Sequence, residues 1–557
     1  MYLIYSHFYQ NSNIIKLYLL SDYTNLKQLI SEFEGEMGKN QISIMKKFED
    51  KLSFFTNNIF FSLFIIGIIG LSIRILFLHI EVPIHSDNFL YFRVAVDQVT
   101  GYTAVNLLAN DGWPYFLSLF FRIIPSNNFM DYMAVQQFVT IGISVLTIIP
   151  IYFLSKQFVG KKFAVLSSAI FIFEPRIAQN SLFGVTEPLY IMALTMSLAL
   201  IFNKKYYLNC FSFIILSLAI LVRAEAIFLL PVFFLIYFIH SKINKKSLLR
   251  SLIFLIIITS ILFPMSIIRS EYLENDGITS RISQGMDHIS SVGNENQYQI
   301  ISIITDGIIN MLKFLAWSQI PYLIFFVPLG LILIIKKIDK YEISLILVGI
   351  SVLIPTLYAY SFASDSRWIF PIYPIFCILS AISIKYYLQK TTKPKCFIII
   401  IFSIMILSSI VYLDWKDIDK EHELEIYNLS LEITDIASGV NMFYPESAYL
   451  HVAGLTKVEN FPVSSNQYLE KTTHSIWYIG SDSIEDVITN GKEEGLTHLV
   501  IDDNPNRPQF MLDVLINKKD YPYLIKEFDS LEHGYNYQLN IYKIDYEKFY
   551  LINQIKK

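Results

Sequence analysis

Cysteine is nearly missing from this chain. There are three in 557 residues, Cys210, Cys377 and Cys396, each in or beside an apolar stretch and none in a Cys-x-x-Cys pair. That spacing excludes a disulfide framework and a thiolate zinc site, and leaves the three as packing residues. Charge is scarce too: 17% of residues are Asp, Glu, Lys or Arg, against 54% hydrophobic. With a mean hydropathy of +0.45, a soluble globular protein is a poor fit and a polytopic membrane protein a good one. A basic excess is lacking as well. The formal net charge is −4, which argues against nucleic acid as a partner. There is no internal repeat and no low-complexity segment. No small-residue cleavage site follows the first apolar run, so no cleavable signal peptide is expected. What the chain does have is aromatic residues, 44 Phe and 36 Tyr, which suit membrane–water interfaces.

Apolar runs near spanning length fall at about 57–80, 134–155, 163–182, 186–202, 207–222, 225–239, 250–268, 319–335, 342–360, 368–386 and 396–413. Lysines collect in alternate loops: Lys156, Lys161 and Lys162; Lys204 and Lys205; Lys242, Lys245 and Lys246; Lys336, Lys337 and Lys340; Lys385, Lys390, Lys393 and Lys395. Lys46, Lys47 and Lys51 before the first run belong to that side, which the positive-inside rule makes the cytoplasm. The expectation is a polytopic α-helical membrane protein of about 11 transmembrane helices with a C-terminal extracytoplasmic α/β domain. Residues 1–52 form a cytoplasmic N-terminal segment, 53–413 the membrane core and 414–557 the outer domain. The expected location is the cell membrane, multi-pass, with the N-terminus inside.

Two external loops are long. The first, 81–133, has no lysine and carries amphipathic, aromatic pieces at Phe89–Ala95 and Trp113–Phe121, expected as helices in the interface. The second, 269–312, is polar with Gly277, Gly285 and Gly293, and reads as a mobile loop suited to cover a site. In the tail, Glu423–Ala437, Ile484–Asn490 and Gln509–Leu515 have helical spacing, and Tyr449–Val452, Ile476–Ile479, His498–Ile501 and Tyr537–Ile544 read as strands. Asn428-Leu429-Ser430 is a glycosylation tripeptide. Asp502-Asp503-Asn504-Pro505 has oxygens for a cation, but a capped strand-to-helix turn explains it better.

Charges inside apolar context are the functional candidates. Asp87, in His85-Ser86-Asp87-Asn88, is either a helix cap or a base at the membrane surface. Arg223 and Glu225 sit between two apolar runs. Glu174 and Arg176 flank Pro175, and Glu187 precedes Pro188, around an external bend. Arg367 opens a late helix beside Trp368.

The order of these pieces is what resembles a family. His85-Ser86-Asp87-Asn88-Phe89-Leu90-Tyr91, Asp111-Gly112-Trp113-Pro114-Tyr115, Phe183-Gly184-Val185-Thr186-Glu187-Pro188, Leu221-Val222-Arg223-Ala224-Glu225 and Ser366-Arg367-Trp368-Ile369-Phe370-Pro371 follow one another as in the GT-C-fold integral membrane glycosyltransferases, the superfamily of the protein O-mannosyltransferases and lipid A aminoarabinose transferases. The resemblance covers roughly 57–413, and the composition is compatible with an archaeal source. It implies inverting transfer of a sugar from a polyprenyl-phosphate donor to an acceptor hydroxyl on the external face. The acceptor class, protein, lipid or glycan, stays open. It implies Asp87 as the catalytic base. Arg223 and Arg367 become candidates for the donor phosphate, and His85, Glu174, Arg176 and Glu187 for substrate contacts. Relatives often pair carboxylates at the base position, where this chain has Asn88. No cofactor is certain, and a divalent metal stays open. The rivals are a flippase or transporter of lipid-linked sugars and an oligosaccharyltransferase-like enzyme. The Trp-Trp-Asp-Tyr-Gly motif of the latter is missing from the tail.

Overall fold

The computed structural model describes residues 58–102, 111–273 except 204 and 242, 276–277, 297–437 except 363–364, and 440–556 with breaks at 444–446, 459, 465–473, 476–481, 506 and 518–519. The N-terminal segment 1–52, the middle of the second loop and the run Ile476–Ile479 lie outside the described residues.

Every apolar run becomes helix. The first is α1, Ile59–Leu76, capped by the Asn58 side chain accepting from the Phe61 N–H. It is followed by α2 (Ser86–Thr100) and α3 (Gly112–Ile123) in the first loop, where the amphipathic pieces were expected. Then come α4 (Phe129–Leu146), α5 (Ile148–Val159), α6 (Lys161–Ile172), the short α7 (Pro175–Asn180), α8 (Glu187–Ile201) and α9 (Tyr206–Val222). The second half holds α10 (Leu229–Ser241), α11 (Lys245–Leu273), α12 (Gln297–Ser318), α13 (Leu323–Lys336), α14 (Lys340–Tyr360), α15 (Tyr373–Lys390) and α16 (Pro394–Trp415). Among the described residues seven helices are long and apolar enough to cross a bilayer, or eight if the pair Ile303–Ser318 and Leu323–Lys336, bent by 111°, is one span. The chain is a multi-pass membrane protein. The second loop is shorter than its polarity suggested, because α11 runs on to Leu273 and α12 starts at Gln297.

The buried arginines explain how polar groups survive among these helices. Arg74 of α1 is fully buried. Its guanidinium donates to Ser181 Oγ (3.0 Å), Ser144 Oγ (3.2 Å) and the carbonyls of Gly70 and Ile172 (both 3.0 Å). Hydrogen bonding of this kind is what makes burying a charge tolerable. At the break between α12 and α13, Arg176 donates to the carbonyls of Trp317 (2.9 Å) and Ile320 (2.5 Å). A broken helix interrupts the regular backbone ladder there, and the guanidinium supplies donors to its carbonyls.

The tail is a three-layer unit. Its elements are α17 (Lys420–Ile436), β1 (Val440–Phe443), α18 (Ser447–Ala453), β2 (His474–Ser475), α19 (Ile484–Glu493), β3 (Leu496–Asp502), α20 (Gln509–Ile516), β4 (Leu524–Asp529), β5 (Leu539–Ile544) and α21 (Tyr546–Lys556). The sheet order is β2-β1-β3-β5-β4, parallel from β2 to β3 and antiparallel beyond. Successive side chains of a strand point to opposite faces. On β3, Leu499 and Ile501 join one core with Ile484, Val487 and Met511, while Val500 joins another with Leu429, Ile433 and Phe528. Both faces are thus covered by helices.

Two readings of the tail are corrected. Tyr449–Val452, expected as a strand, lies in the helix α18, where Tyr449, Leu450 and Val452 are all buried. Four residues are too few to separate alternation from a helical face, and packing decides. The short strands β1 and β4 carry no clear alternating signal. In the glycosylation tripeptide, Ser430 is buried in mid-helix and its hydroxyl donates to the Ile426 carbonyl. At the end of β3, Asp502 is buried, binds Arg507 through both oxygens (2.6 and 2.5 Å) and accepts from the Tyr537 hydroxyl (2.6 Å). This is a turn clamp.

The tail is docked on the first loop. Phe461 inserts between Phe92 (ring centroids 6.2 Å apart), Phe129 (6.3 Å) and Tyr132 (5.5 Å). His79 pairs with Asp417 at 2.9 Å, and Lys420 with Glu81.

Candidate active site

The first turn of α2 carries Asp87. Its entry is strained: Ser86 has φ +57°, a left-handed conformation that costs a non-glycine residue about 1–2 kcal/mol. Such strain tends to collect at functional sites. The turn is tied down by Gln136 of α4, fully buried, whose Nε2 donates to the carbonyls of Asn88 (3.1 Å) and Gly184 (2.8 Å). Gly184 has φ +72°, and a side chain there would strike Gln136. One carboxamide therefore joins the Asp87 turn to the bend that opens α8.

Asp87 faces Arg367. Its Oδ2 lies 3.6 Å from Arg367 Nη2, and about half of the Asp87 side chain is exposed. Asp365 aims the guanidinium through contacts of 2.7 and 2.8 Å, and caps the turn Ser366–Ile372 by accepting from the Arg367 N–H. Arg367 also lies within electrostatic reach of Glu187. Glu187, almost fully buried at the start of α8, binds Arg223 at 2.6 Å. Arg223 caps the end of α9 and reaches Glu225 at 3.2 Å. Its guanidinium sits 6.0 Å from the Tyr190 ring. It lies outside the apolar runs, and the two carboxylates outweigh the downward push of burial and raise its affinity for a proton. The second oxygen of Glu187 is buried without a hydrogen-bond donor among the described residues.

Beside this chain of charges is a small open cleft lined by Tyr190, Arg223, Glu225, Thr356, Trp368 and Pro371. Gly112 is what lets α3 approach it: a Cβ there would sit 2.7 Å from the backbone of Leu221 and Val222, just before Arg223.

Of the residues singled out in the sequence, Asp87, Arg367, Glu187 and Arg223 thus come together. Glu174 and Arg176 go elsewhere. Glu174 is buried as the cap of α7, accepting from the Ile177 N–H at 2.8 Å and contacting Arg176 at 3.2 Å. Arg176 stacks 3.9 Å over Trp317 at the helix break. His85 faces away from Arg367, with its ring 4.8 Å from Tyr449 of the tail. The donor set around Asp87 does not fit a metal: its near neighbour is a guanidinium, Asn88 replaces a second carboxylate, and no group of three or more His, Cys, Asp or Glu suited to an ion occurs among the described residues.

One ion pair was not foreseen. Asp111, at the start of α3, meets Arg269 of α11 at 2.5 Å with both side chains buried. The partners are 158 residues apart, so no local pattern marks them. Removing one member of a buried pair strands the other charge, at about 3–5 kcal/mol. Asp111→Asn is expected to lower the melting temperature of the purified protein clearly, where exposed Asp131→Asn does not. Equal melting of the two variants would show the pair to be solvated.

Residues 112–268 match the family model described as dolichyl-phosphate-mannose-protein mannosyltransferase. No curated protein sequence matches the chain. Solved structures do. The Archaeoglobus fulgidus oligosaccharyltransferase, crystallised with zinc and sulfate, aligns at TM-score 0.57 and 14% identity over 79% of this chain and 67% of its own. The same enzyme with an inhibitory peptide and a dolichol-phosphate gives 0.57 and 12% over 85% and 73%. ArnT from Cupriavidus metallidurans, bound to undecaprenyl phosphate, gives 0.50 and 9% over 86% and 97%. The chain therefore has the GT-C fold seen in these membrane enzymes, with a small C-terminal sheet domain, and its residues 112–268 are similar to a mannosyltransferase family model.

Proposed function

We propose that the protein is an inverting glycosyltransferase that moves a sugar from a polyprenyl-phosphate donor to an acceptor hydroxyl. The observation that carries this is Asp87 3.6 Å from Arg367. A hydroxyl is a poor nucleophile until a carboxylate takes its proton, and a departing phosphate needs a cation. Here the two groups sit side by side at the rim of the helices. The acceptor oxygen attacks the anomeric carbon, the bond from that carbon to the phosphate oxygen breaks, and the proton passes to Asp87. Arg367, about one-third exposed, is open to the leaving phosphate. Arg223 is sequestered by Glu187 and Glu225 and sets the field behind it. Solved relatives bound to dolichol-phosphate and undecaprenyl phosphate support a lipid donor. The decisive assay incubates the purified full chain with radiolabelled polyprenyl-phosphate sugars and a membrane acceptor fraction. Incorporation of label supports the reading, and no transfer from any donor of the panel overturns it. An oligosaccharyltransferase reading is favoured by the Archaeoglobus fold match. Transfer from lipid-linked oligosaccharides alone would select it.

The site is proposed to face the outside, with about 11 spans and the lysine loops in the cytoplasm. A cysteine placed at Tyr102, which is exposed in the first loop, is expected to react with a membrane-impermeant thiol reagent on intact cells. One at Ile243, exposed in a lysine loop, is expected to stay unlabelled until the membrane is opened. The reverse pattern would invert the orientation.

A further inference from the structure

A second cavity lies on the other side of the base turn. It is bounded by His85 and Asn88 of that turn, Gln137 of α4, Gln179 of α7, Leu413 near the end of α16, Glu423 of α17 and Tyr449 of α18, and is partly open to solvent. We propose that this cavity is the acceptor site and that it takes the uncharged terminal sugar of a glycan; the acceptor role rests on the transferase reading above, the sugar class on the cavity itself.

Four observations carry it. First, three carboxamides, Asn88, Gln137 and Gln179, line one space. Each offers both donors and an acceptor, as sugar hydroxyls do. Second, Gln137 is only 8% exposed, and it lines the cavity, so a ligand hydroxyl there can take the place of the solvent that meets its carboxamide. Third, the charge is wrong for the donor phosphate. Asp417 and Glu423 face the cavity against Lys416, and Glu423 is held by the Tyr449 hydroxyl at 2.6 Å. Burial also pushes the His85 imidazole down, against a smaller opposing pull from Glu423. Fourth, the His85 and Tyr449 rings meet at 52°, forming an apolar corner for the C–H face of a pyranose. His85 and Asn88 line the cavity and flank Asp87 in a single turn, so the cavity adjoins the Asp87 turn, with Asp87 itself outside the lining.

The tail supplies Glu423 and Tyr449, so it is part of the acceptor site and not an appendage.

The test measures binding without donor, so it is independent of catalysis. Saturation-transfer NMR on the purified full chain would use methyl mannoside, methyl glucoside and methyl N-acetylglucosaminide, with a threonine-containing heptapeptide as a separate arm. At least one glycoside is expected to receive saturation. Gln137→Leu and Gln179→Leu are each expected to weaken its binding about threefold to tenfold, the effect of one lost hydrogen bond. Arg367→Ala, on the donor side, is expected to leave glycoside binding in place. No signal from any glycoside, glycoside binding in both Gln variants as tight as in the parent, or binding of the peptide alone would overturn the proposal. If Gln137→Leu does not fold, the half-buried Gln179→Leu decides. The transferase reading is judged separately, by whether the unsubstituted full chain transfers label from any lipid donor of the panel.

Discussion

Asp87→Asn is expected to lower kcat about 100- to 10,000-fold, the usual effect of losing a positioned general base, while leaving the melting temperature and the affinity for polyprenyl phosphate near those of the parent. The substitution keeps size and hydrogen-bonding shape and removes only the proton acceptor. The side chain is half exposed and its charge partner is 3.6 Å away, so little folding energy depends on it. Donor affinity should stay because the proposed mechanism assigns the phosphate to Arg367 and not to the carboxylate. Asp131→Asn is the control. It sits in the same loop, is exposed, and bonds Ser126 at 2.6 Å, and it should retain full activity. Gln136→Leu is the companion variant. It cuts the tie to the Asn88 and Gly184 carbonyls and lets the base turn drift, so kcat should fall with KM nearly unchanged, and Gln136→Glu should not restore it because a carboxylate cannot donate to two carbonyls. Retained activity in Asp87→Asn would move the base elsewhere.

How much of this was legible in the sequence depends on distance along the chain. The helices of the core announce themselves through apolar length, and α2 and α3 through aromatic amphipathic spacing. Arg223 stands out because a guanidinium between two apolar runs demands a reason. What the sequence does not carry is the pairing. Glu174, Glu187, Arg176 and Arg223 all look alike: a charge near a proline or a helix end in apolar surroundings. Only the directions of α7, α8 and α9 send Glu187 and Arg223 to the base turn, and Glu174 and Arg176 to the break between α12 and α13. Arg74 and Arg269 are absorbed into apolar helices, and their partners lie 70–158 residues away. Gln136 and Gln137 are adjacent neutral residues in a long helix, yet one fixes the base turn and the other opens on the second cavity. Periodicity gives a helix its buried face but not what meets that face.

The two arginines are expected to separate by kind of damage. Arg223→Ala removes the partner of Glu187, whose side chain is 3% exposed. Stranding that carboxylate should destabilise the protein by about 3–5 kcal/mol, seen as a large drop in melting temperature with activity lost alongside. Arg223→Ala combined with Glu187→Gln should recover most of the stability, because the neutral amide no longer needs the guanidinium. Arg367→Ala should behave differently. Its side chain is 35% exposed and the Asp365 carboxylate it leaves behind is 28% exposed and open to water, so melting should barely change. Affinity for polyprenyl phosphate, measured by calorimetry in detergent, should fall about 10- to 100-fold, in line with roughly 1.5–3 kcal/mol for a hydrogen bond to a charged group. Arg367→Lys should recover part of that affinity, since a point charge replaces some but not all of a planar fork. If the stabilised double variant loses donor binding while Arg367→Ala keeps it, the phosphate sits at Arg223, inside the cleft with Tyr190 and Trp368. If neither loses it, both arginines are scaffolding and the lipid phosphate is held by other groups.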